Sequence, residues 1–273
     1  MCYYPAMRVW TLAALLLVTT LTGRATAADP LAEARRLYNL AQYESAAKLA
    51  REVAGLPGRA DAARVVLGRI QLEQFRQSAN QRDLEQARES LRTVDTTTLD
   101  AYERVELLIG QAEALYLEQR YGAAAELFDS VRQRSSLLGT AAHERVLDWW
   151  ATSLDRQAQQ RQGAEKAAIY AQILDRMTDE VAEHPGSTAA GYWIASAART
   201  NGDLERAWQA SQAGWLRAVQ AEDRGAALRA DLDRLMLQAI IPERASKLSP
   251  KEPKDAATTM QAEWESFKKL WTK

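Results

Sequence analysis

The sequence LYNLAQYESAAKLAREV at residues 37–53 aligns without a gap with LYLEQRYGAAAELFDSV at residues 115–131. The two segments share two tyrosines five residues apart, a pair of alanines and the closing valine. A shorter match joins DLEQA at residues 83–87 with DLERA at residues 203–207. Because internal self-similarity is the signature of stacked structural repeats, these segments predict a repeat protein.

The repeated segments resemble the tetratricopeptide repeat. Tyr121, Ala124 and Phe128 follow the spacing of its second helix, and Leu67 with Gly68 matches a residue pair of its first helix. In that family, a small alanine lets the two helices of a hairpin approach closely. The resemblance covers roughly residues 29–221. It implies an all-α fold, an α-solenoid of about five helical hairpins in a right-handed superhelix.

One alanine per hairpin is expected at the close helix crossing. Successive candidates are 37 to 43 residues apart, longer than the ~34 residues typical of the family. We therefore expect longer first helices or turn insertions, notably around residues 77–82 and 157–162. The candidates are Ala46, Ala87, Ala124, Ala167 and Ala207.

The composition agrees with a helical protein. Alanine, the strongest helix former, occurs 51 times in 273 residues, against 13 glycines and 7 prolines. The hydrophobic fraction of 47% excludes a wholly disordered chain. The chain has a single long apolar run, at the N-terminus, which excludes a multi-pass membrane protein. Its net charge of −1 lacks the excess of positive charge that is typical of nucleic-acid-binding proteins.

Local signals predict several helix boundaries. Asp29 followed by Pro30 predicts the start of the first helix, and GLPG at residues 55–58 the end of the first hairpin. TTLD at residues 97–100 resembles a capping box. PGS at residues 185–187 predicts the end of one helix and the cap of the next. A trailing helix is expected at about residues 223–241.

Residues 1–27 are interpreted as a secretory signal peptide. Arg8 supplies the positive charge, residues 9–21 the apolar segment, and Ala-Thr-Ala at residues 25–27 a cleavage site. A membrane anchor is the alternative, but a helix of that apolar segment spans only ~20 Å of a ~30 Å hydrocarbon core. We therefore expect an exported chain, periplasmic or secreted, cleaved near Ala27 and without a stable membrane span. The only cysteine, Cys2, is removed with the peptide.

The rest of the chain is divided into residues 28–246, a repeat domain, and residues 247–273, a linker followed by a C-terminal amphipathic helix. The repeat domain holds 27 basic and 32 acidic residues, a net charge of −5. The last helix could cap the final hairpin, bind a partner protein or lie on a membrane surface. Its expected contact residues, at helical spacing, are Met260, Trp264, Phe267 and Trp271.

Sequence motifs for catalysis are missing. The chain has two histidines, His143 and His184, and Leu147 stands where a metalloprotease helix would place its second histidine ligand. Phosphate-binding, dinucleotide-binding and nucleophile-elbow motifs are also missing. We therefore predict no catalytic residue, no metal site and no cofactor, and a structural role for both histidines.

A cell-envelope enzyme or a glycan-binding module acting on peptidoglycan or polysaccharide is the alternative. Helical lytic transglycosylases use a glutamate followed by serine, a pair found here at Glu44, Glu89 and Glu265. Five of the eight tryptophans lie between residues 149 and 215. They would either fill the core or form an aromatic platform for a ligand.

The resemblance also implies where a ligand would bind. In tetratricopeptide-like arrays the first helix of each hairpin lines the concave groove, whose tyrosines, arginines and acids could hold an extended peptide. Solvated charge without a ligand is the alternative. We thus expect a non-catalytic exported scaffold or adaptor for a protein or peptide partner, with the C-terminal helix as a second surface. The groove residues are Arg35, Tyr38, Asn39, Arg69, Glu73, Glu113, Tyr116, Asp148, Thr152, Arg156, Tyr192, Ser196 and Arg199.

Overall fold

The computed structural model describes residues 29–221 and 225–272, and within them every regular element is a helix. This confirms the all-α class. The expected signal peptide lies outside the described residues. The α-helices are α1 (Pro30–Asn39), α2 (Tyr43–Ala54), α3 (Ala60–Ser78), α4 (Gln81–Arg92), α5 (Ala101–Leu117), α6 (Tyr121–Arg132), α7 (Thr140–Gln159), α8 (Gly163–Glu183), α9 (Thr188–Thr200), α10 (Leu204–Arg217), α11 (Ala226–Leu235), α12 (Ile241–Leu248) and α13 (Pro253–Trp271).

The sequence repeat produces a repeated turn. Ala41 between α1 and α2 and Gln119 between α5 and α6 both have left-handed backbones, with φ of 57° and 62°. Gly202 has the same place between α9 and α10, with φ of 81°. In all three turns the next residue donates its N–H to the carbonyl five residues earlier, at 2.9–3.0 Å. The three turns therefore share one hydrogen-bonded geometry.

Four of the five expected alanines are fully buried where two helices meet. They are Ala46, Ala87, Ala124 and Ala207. The expectation for Ala167 was wrong, because this residue is exposed in the first turns of α8. The buried stripe of that helix begins later, at Tyr170, and continues through Ile173 and Met177 at helical spacing.

Consecutive helices pack as neighbouring pairs, and alternate helices also touch. Helix α3 contacts both α1 and α5, and α9 contacts both α7 and α11. The odd-numbered helices α1 to α11 therefore share one side of the molecule, called the odd-helix face below. The long repeat spacing comes from helix length, since α3, α7 and α8 have 19, 20 and 21 residues. The turns at residues 79–80 and 160–162 are short.

Most of the predicted caps are present. The carboxylate of Asp29 accepts a hydrogen bond from the backbone of the first helical turn, and the Ser187 hydroxyl does the same for α9. The expected cap at Thr97 was wrong by three residues. Asp100 is the N-cap of α5, because Glu103 lies three residues later and its carboxylate accepts the Asp100 N–H at 3.1 Å. The Thr97 hydroxyl instead donates a hydrogen bond to the carboxylate of Asp95.

The trailing helix runs further than expected. Helix α11 continues through a π-helical turn, Met236–Ile240, into α12 and ends at Leu248. Pro242 has no N–H for the helical ladder and its ring crowds the preceding turn, which accounts for the widened π turn. The helical segment formed by α11, the π turn and α12 thus ends two residues beyond residue 246, where the sequence predicted the end of the repeat domain.

Helix α13 packs on α12 and on the tryptophans of α10. Trp264 is fully buried, its ring centroid is 5.3 Å from that of Trp215, and its indole N–H donates to Asp233 at 2.8 Å. Met260 and Phe267 pack against the same hydrophobic core. Trp271 remains 54% exposed. The C-terminal helix therefore covers the last helix pair.

Across residues 29–221 and 225–272, no helix has the length and apolar character needed to cross a membrane.

Candidate functional site

Ion pairs fill the N-terminal third of the odd-helix face. Arg35 on α1 donates from Nε to Glu106 on α5 at 2.8 Å, and Arg69 on α3 lies 3.6 Å from the same carboxylate. Arg69 Nε also lies 3.7 Å from Glu113 Oε2, without a hydrogen bond. Burial raises the pKa of Glu113. These predicted groove residues are brought together, but they bind one another.

The end of α1 closes toward α7. The guanidinium of Arg69 lies 4.8 Å from the ring centroid of Tyr38 and donates to its hydroxyl at 3.3 Å. Asn39 accepts a hydrogen bond from Arg145 on α7 at 3.4 Å. Side chains of helices three pairs apart in the chain therefore contact each other across this face.

An aromatic group occupies the middle of the face. Glu73 pairs with Arg76 at 2.9 Å, and that guanidinium lies 5.1 Å from the ring centroid of Trp149. Tyr116 contacts the same indole edge to face, with centroids 4.7 Å apart. A hydrogen bond to Tyr116 raises the pKa of Arg156. Trp149, which the groove prediction omitted, thus connects α3, α5 and α7.

The C-terminal part of the face is held by an ion pair between helices. Arg199 on α9 donates from Nε to Glu243 on α12 at 3.1 Å. Thr152 and Ser196 are half-buried on α7 and α9. Burial raises the pKa of Tyr192, which is also half-buried on α9.

One open depression lies on this face between α7, α9 and α11, and we call it the acidic pocket. Its volume is about 310 Å³. Glu144, Asp148 and Asp231 supply three carboxylates, and Trp149 and Tyr192 supply aromatic walls. The remaining lining residues are Arg145, Thr188, Ala189, Ala227 and Leu228. With three acids and one arginine, the pocket has a formal charge of −2.

Asp148 is the central acid of the pocket. Its Oδ1 accepts a hydrogen bond from the Trp193 indole N–H at 2.9 Å. Asp148 is exposed on one side, but the packing around its carboxyl desolvates it and raises its pKa, and the carboxylates of Asp231 and Glu144 raise that pKa further. Because three acids repel one another, a cationic group entering the pocket would relieve that repulsion.

The tryptophan-rich half does not form an exposed aromatic platform. Four of its five tryptophans are at most 8% exposed and belong to the core. They are Trp150, Trp193, Trp208 and Trp215. Trp149 is the half-buried exception and lines the acidic pocket. The core-packing alternative therefore describes four of the five residues.

The two histidines lie together, with ring centroids 5.7 Å apart, and neither lines the acidic pocket. His143 at the start of α7 and His184 at the end of α8 both approach the buried carboxylate of Glu180. The spacing of four residues between Glu180 and His184 on one helix could have predicted their contact from the sequence. The contact of His143 with Glu180 depends on the packing of α7 against α8, which the sequence spacing does not show.

Sequence reasoning also missed Glu106 and Asp231. Glu106 shares α5 with Glu113, two helical turns away, and faces the same side. Asp231 belongs to α11, which lies beyond the last predicted hairpin. A groove defined by five hairpins could not include it.

Comparison of the chain with protein-family models, with curated proteins and with solved structures finds no match.

Proposed function

We propose that the protein is a non-catalytic adaptor that binds a partner protein by taking one of its basic side chains into the acidic pocket. The single observation that carries this proposal is the grouping of Glu144, Asp148 and Asp231 with Trp149 and Tyr192 in one open depression. We further propose that the helix pairs form an α-solenoid like that of tetratricopeptide arrays, and that the chain is exported.

The repeated turn supports the solenoid arrangement. Ala41, Gln119 and Gly202 occupy equivalent positions in three helix pairs, and each odd-numbered helix touches the next odd-numbered helix. Such contacts are what stacked hairpins make when each repeat packs on its neighbours. Export is supported by residues 1–27 alone, through their charge, apolar segment and Ala-Thr-Ala site.

The chemistry of the pocket favours lysine or arginine as its occupant. Carboxylates form charge-assisted hydrogen bonds with both side chains, and a guanidinium can bind a carboxylate through two parallel hydrogen bonds. Aromatic faces attract the same cations by about 0.5–2 kcal/mol. The remaining oxygen of Asp148, Oδ2, accepts no hydrogen bond from any residue that the structure describes. That oxygen is available to an incoming donor.

The location of the pocket also favours a partner segment. Beside α1, α3 and α5 the face is occupied by the protein's own ion pairs. The open region therefore begins at α7 and continues over α9 and α11. An extended segment lying there would place one side chain in the pocket and its neighbours over half-buried Ser196 and Thr152.

The alternative of a glycan-binding module has weaker support, because Trp149 is the one tryptophan of the group that reaches the pocket. A cell-envelope enzyme remains a separate hypothesis. Hydrolysis of peptidoglycan by the purified protein, abolished by a single Glu→Gln change, would favour it over the adaptor.

The adaptor proposal is tested by crosslinked affinity purification from the native source. The variant combines Asp148→Asn and Asp231→Asn, which removes charge without changing side-chain size. The matched control combines Glu52→Gln and Glu263→Gln, two exposed acids elsewhere on the surface. We expect the pocket variant to lose a partner that the wild type and the control both retain.

A synthetic peptide copying the crosslinked segment is then titrated by calorimetry, with its basic residue replaced by norleucine as the second arm. Binding to the wild type should weaken at least tenfold on replacement and fall with added salt. Identical partners for all three proteins would refute the proposal.

A further inference from the structure

Two imidazoles and one carboxylate meet at the end of the α7–α8 pair. His143 Nε2 lies 3.0 Å from Glu180 Oε1, and His184 Nδ1 lies 2.7 Å from the same oxygen. The three ligand-type atoms all lie within 4.8 Å of one another. The side chain of Glu180 is 2% exposed, whereas that of His184 is 60% exposed. The cluster is thus buried on one side and open to solvent on the other.

Ser135 determines which nitrogen of His143 carries a proton. The Ser135 hydroxyl donates to the Arg132 carbonyl at 2.6 Å, so its single proton is used. Its oxygen lies 2.7 Å from His143 Nδ1 and therefore accepts the Nδ1 proton. In a neutral imidazole this leaves the Nε2 lone pair facing the Glu180 carboxylate at 3.0 Å.

Two lone pairs at that distance repel unless a proton or a metal ion binds there. His184 Nδ1 lies 2.7 Å from the same oxygen, so three donor atoms lie within 4.8 Å of one another. We propose that His143 Nε2, Glu180 Oε1 and His184 Nδ1 bind one divalent transition-metal ion of the Zn²⁺ type, with a fourth coordination position facing solvent.

The donor set fits this class of ion. Imidazole and carboxylate are established Zn²⁺ ligands, and two histidines with one glutamate leave an open position for water or another ligand. Zn²⁺ bonds of about 2.0–2.2 Å in a tetrahedral site place ligand atoms roughly 3.3–3.5 Å apart. The separations from Glu180 Oε1, 2.7 and 3.0 Å, must widen by several tenths of an ångström, and the two imidazole nitrogens, which lie within 4.8 Å of each other, must come to the same spacing. His184, exposed at the end of α8, is free to make this movement.

The surroundings also favour a cation. Ser135 is fully buried and orients His143 through Nδ1, as outer hydrogen-bond partners do for metal-bound histidines. Glu144 adds negative charge near His143. The carboxyl end of α8, where His184 lies, is the negative end of the helix dipole. A bound ion would join the turn at Ser135, the start of α7 and the end of α8.

The test uses the full mature chain with any affinity tag removed, because added histidines would bind the same ions. After treatment with a chelator, ZnCl₂ is titrated against a chromophoric competitor and thermal unfolding is followed with and without the ion. We expect one Zn²⁺ per chain and a higher unfolding midpoint that EDTA reverses. Co²⁺ should give the visible absorption of a four-coordinate site, and Mg²⁺ should have no effect.

His184→Ala is the informative variant, since an exposed side chain can be removed with little effect on folding. It should weaken Zn²⁺ binding by more than 100-fold and abolish the Co²⁺ spectrum. Ser135→Ala should weaken binding by about 10–100-fold. Glu183→Gln, an exposed neighbour of His184, is the control and should bind like the wild type.

The proposal is overturned if Zn²⁺ leaves the unfolding midpoint unchanged, or if His184→Ala binds it as tightly as the control does. It is also overturned if NMR shows His143 doubly protonated at neutral pH in the presence of Zn²⁺, since a proton would then occupy the position. None of these outcomes depends on the acidic pocket, whose test uses different variants and a different readout.

Discussion

Two of the three non-glycine residues with left-handed backbones in the described residues, Ala41 and Gln119, should lower the stability of this protein, and glycine should restore it. Ala41 and Gln119 have φ of 57° and 62°, whereas Gly202 fills the equivalent position of the third turn. A side chain in this backbone region costs roughly 1–2 kcal/mol. Glycine loses more conformational freedom on folding, a cost of roughly 0.5–1 kcal/mol. The net gain expected from Ala41→Gly or Gln119→Gly is therefore about 0.5–1 kcal/mol each.

The sites lie in different helix pairs, so the two gains should add. In a protein of this size about 1 kcal/mol corresponds to a change of roughly 2–4 °C in Tm. The double variant should therefore melt about 2–8 °C higher in circular dichroism at 222 nm. Urea unfolding should likewise show a larger free energy of unfolding for the double variant than for the wild type.

Two control variants separate backbone conformation from other effects. A Cβ atom added at Gly202 would meet no atom within 4 Å, so any loss in Gly202→Ala is conformational, and we expect about 1 kcal/mol. Ala168→Gly makes the same chemical change at an exposed position inside α8 and should destabilise by about 1 kcal/mol. If Ala41→Gly and Gln119→Gly lower Tm as Ala168→Gly does, the proposed turn geometry is wrong.

Other contacts give further predictions. Trp264→Ala should cost about 3–5 kcal/mol because the indole is fully buried, while Trp271→Ala should change stability by less than about 0.5 kcal/mol; equal melting temperatures would contradict the packing of α13. Glu106→Gln should cost about 3–5 kcal/mol in urea unfolding, since it leaves buried Arg69 and half-buried Arg35 without their shared carboxylate. Glu89→Gln breaks an ion pair on the surface of α4 and should cost less than about 1 kcal/mol of stability. A loss as large as that of Glu106→Gln would show that the burial of the Glu106 ion pairs does not explain their larger contribution.

The helical class and the repeated turn were predictable from the sequence. Residues 37–53 and 115–131 match because both encode the same helix end, left-handed turn and helix start, and local hydrogen bonds determine that geometry. Pro30 and Ser187 indicated helix starts for equally local reasons. Where the signal lies within one or two turns of chain, sequence reasoning was reliable.

The errors concern alignment between helices. Ala167 has the spacing of its counterparts, but the first turns of the 21-residue helix α8 carry exposed side chains, so the crossing falls later, near Tyr170. A count of apolar residues at helical spacing from Tyr170 to Met177 would have indicated this shift.

The candidate site was harder to predict, because it depends on which charges find partners. Arg35, Arg69 and Glu113 were expected in an open groove, but they lie close enough to pair with each other and with Glu106. Residue type alone does not distinguish a free arginine from a paired one. The distances between α1, α3 and α5 do.

The charged contacts of α1 have a consequence for how the chain unfolds. When helix pairs touch only their neighbours, the terminal pair can open alone and unfolding proceeds stepwise from the ends. Here Arg35 reaches Glu106 two pairs along the chain, and Asn39 reaches Arg145 three pairs along. Opening α1 would expose buried charges on α5, so the first three pairs should lose amide protection together, as one cooperative unit in native-state hydrogen exchange.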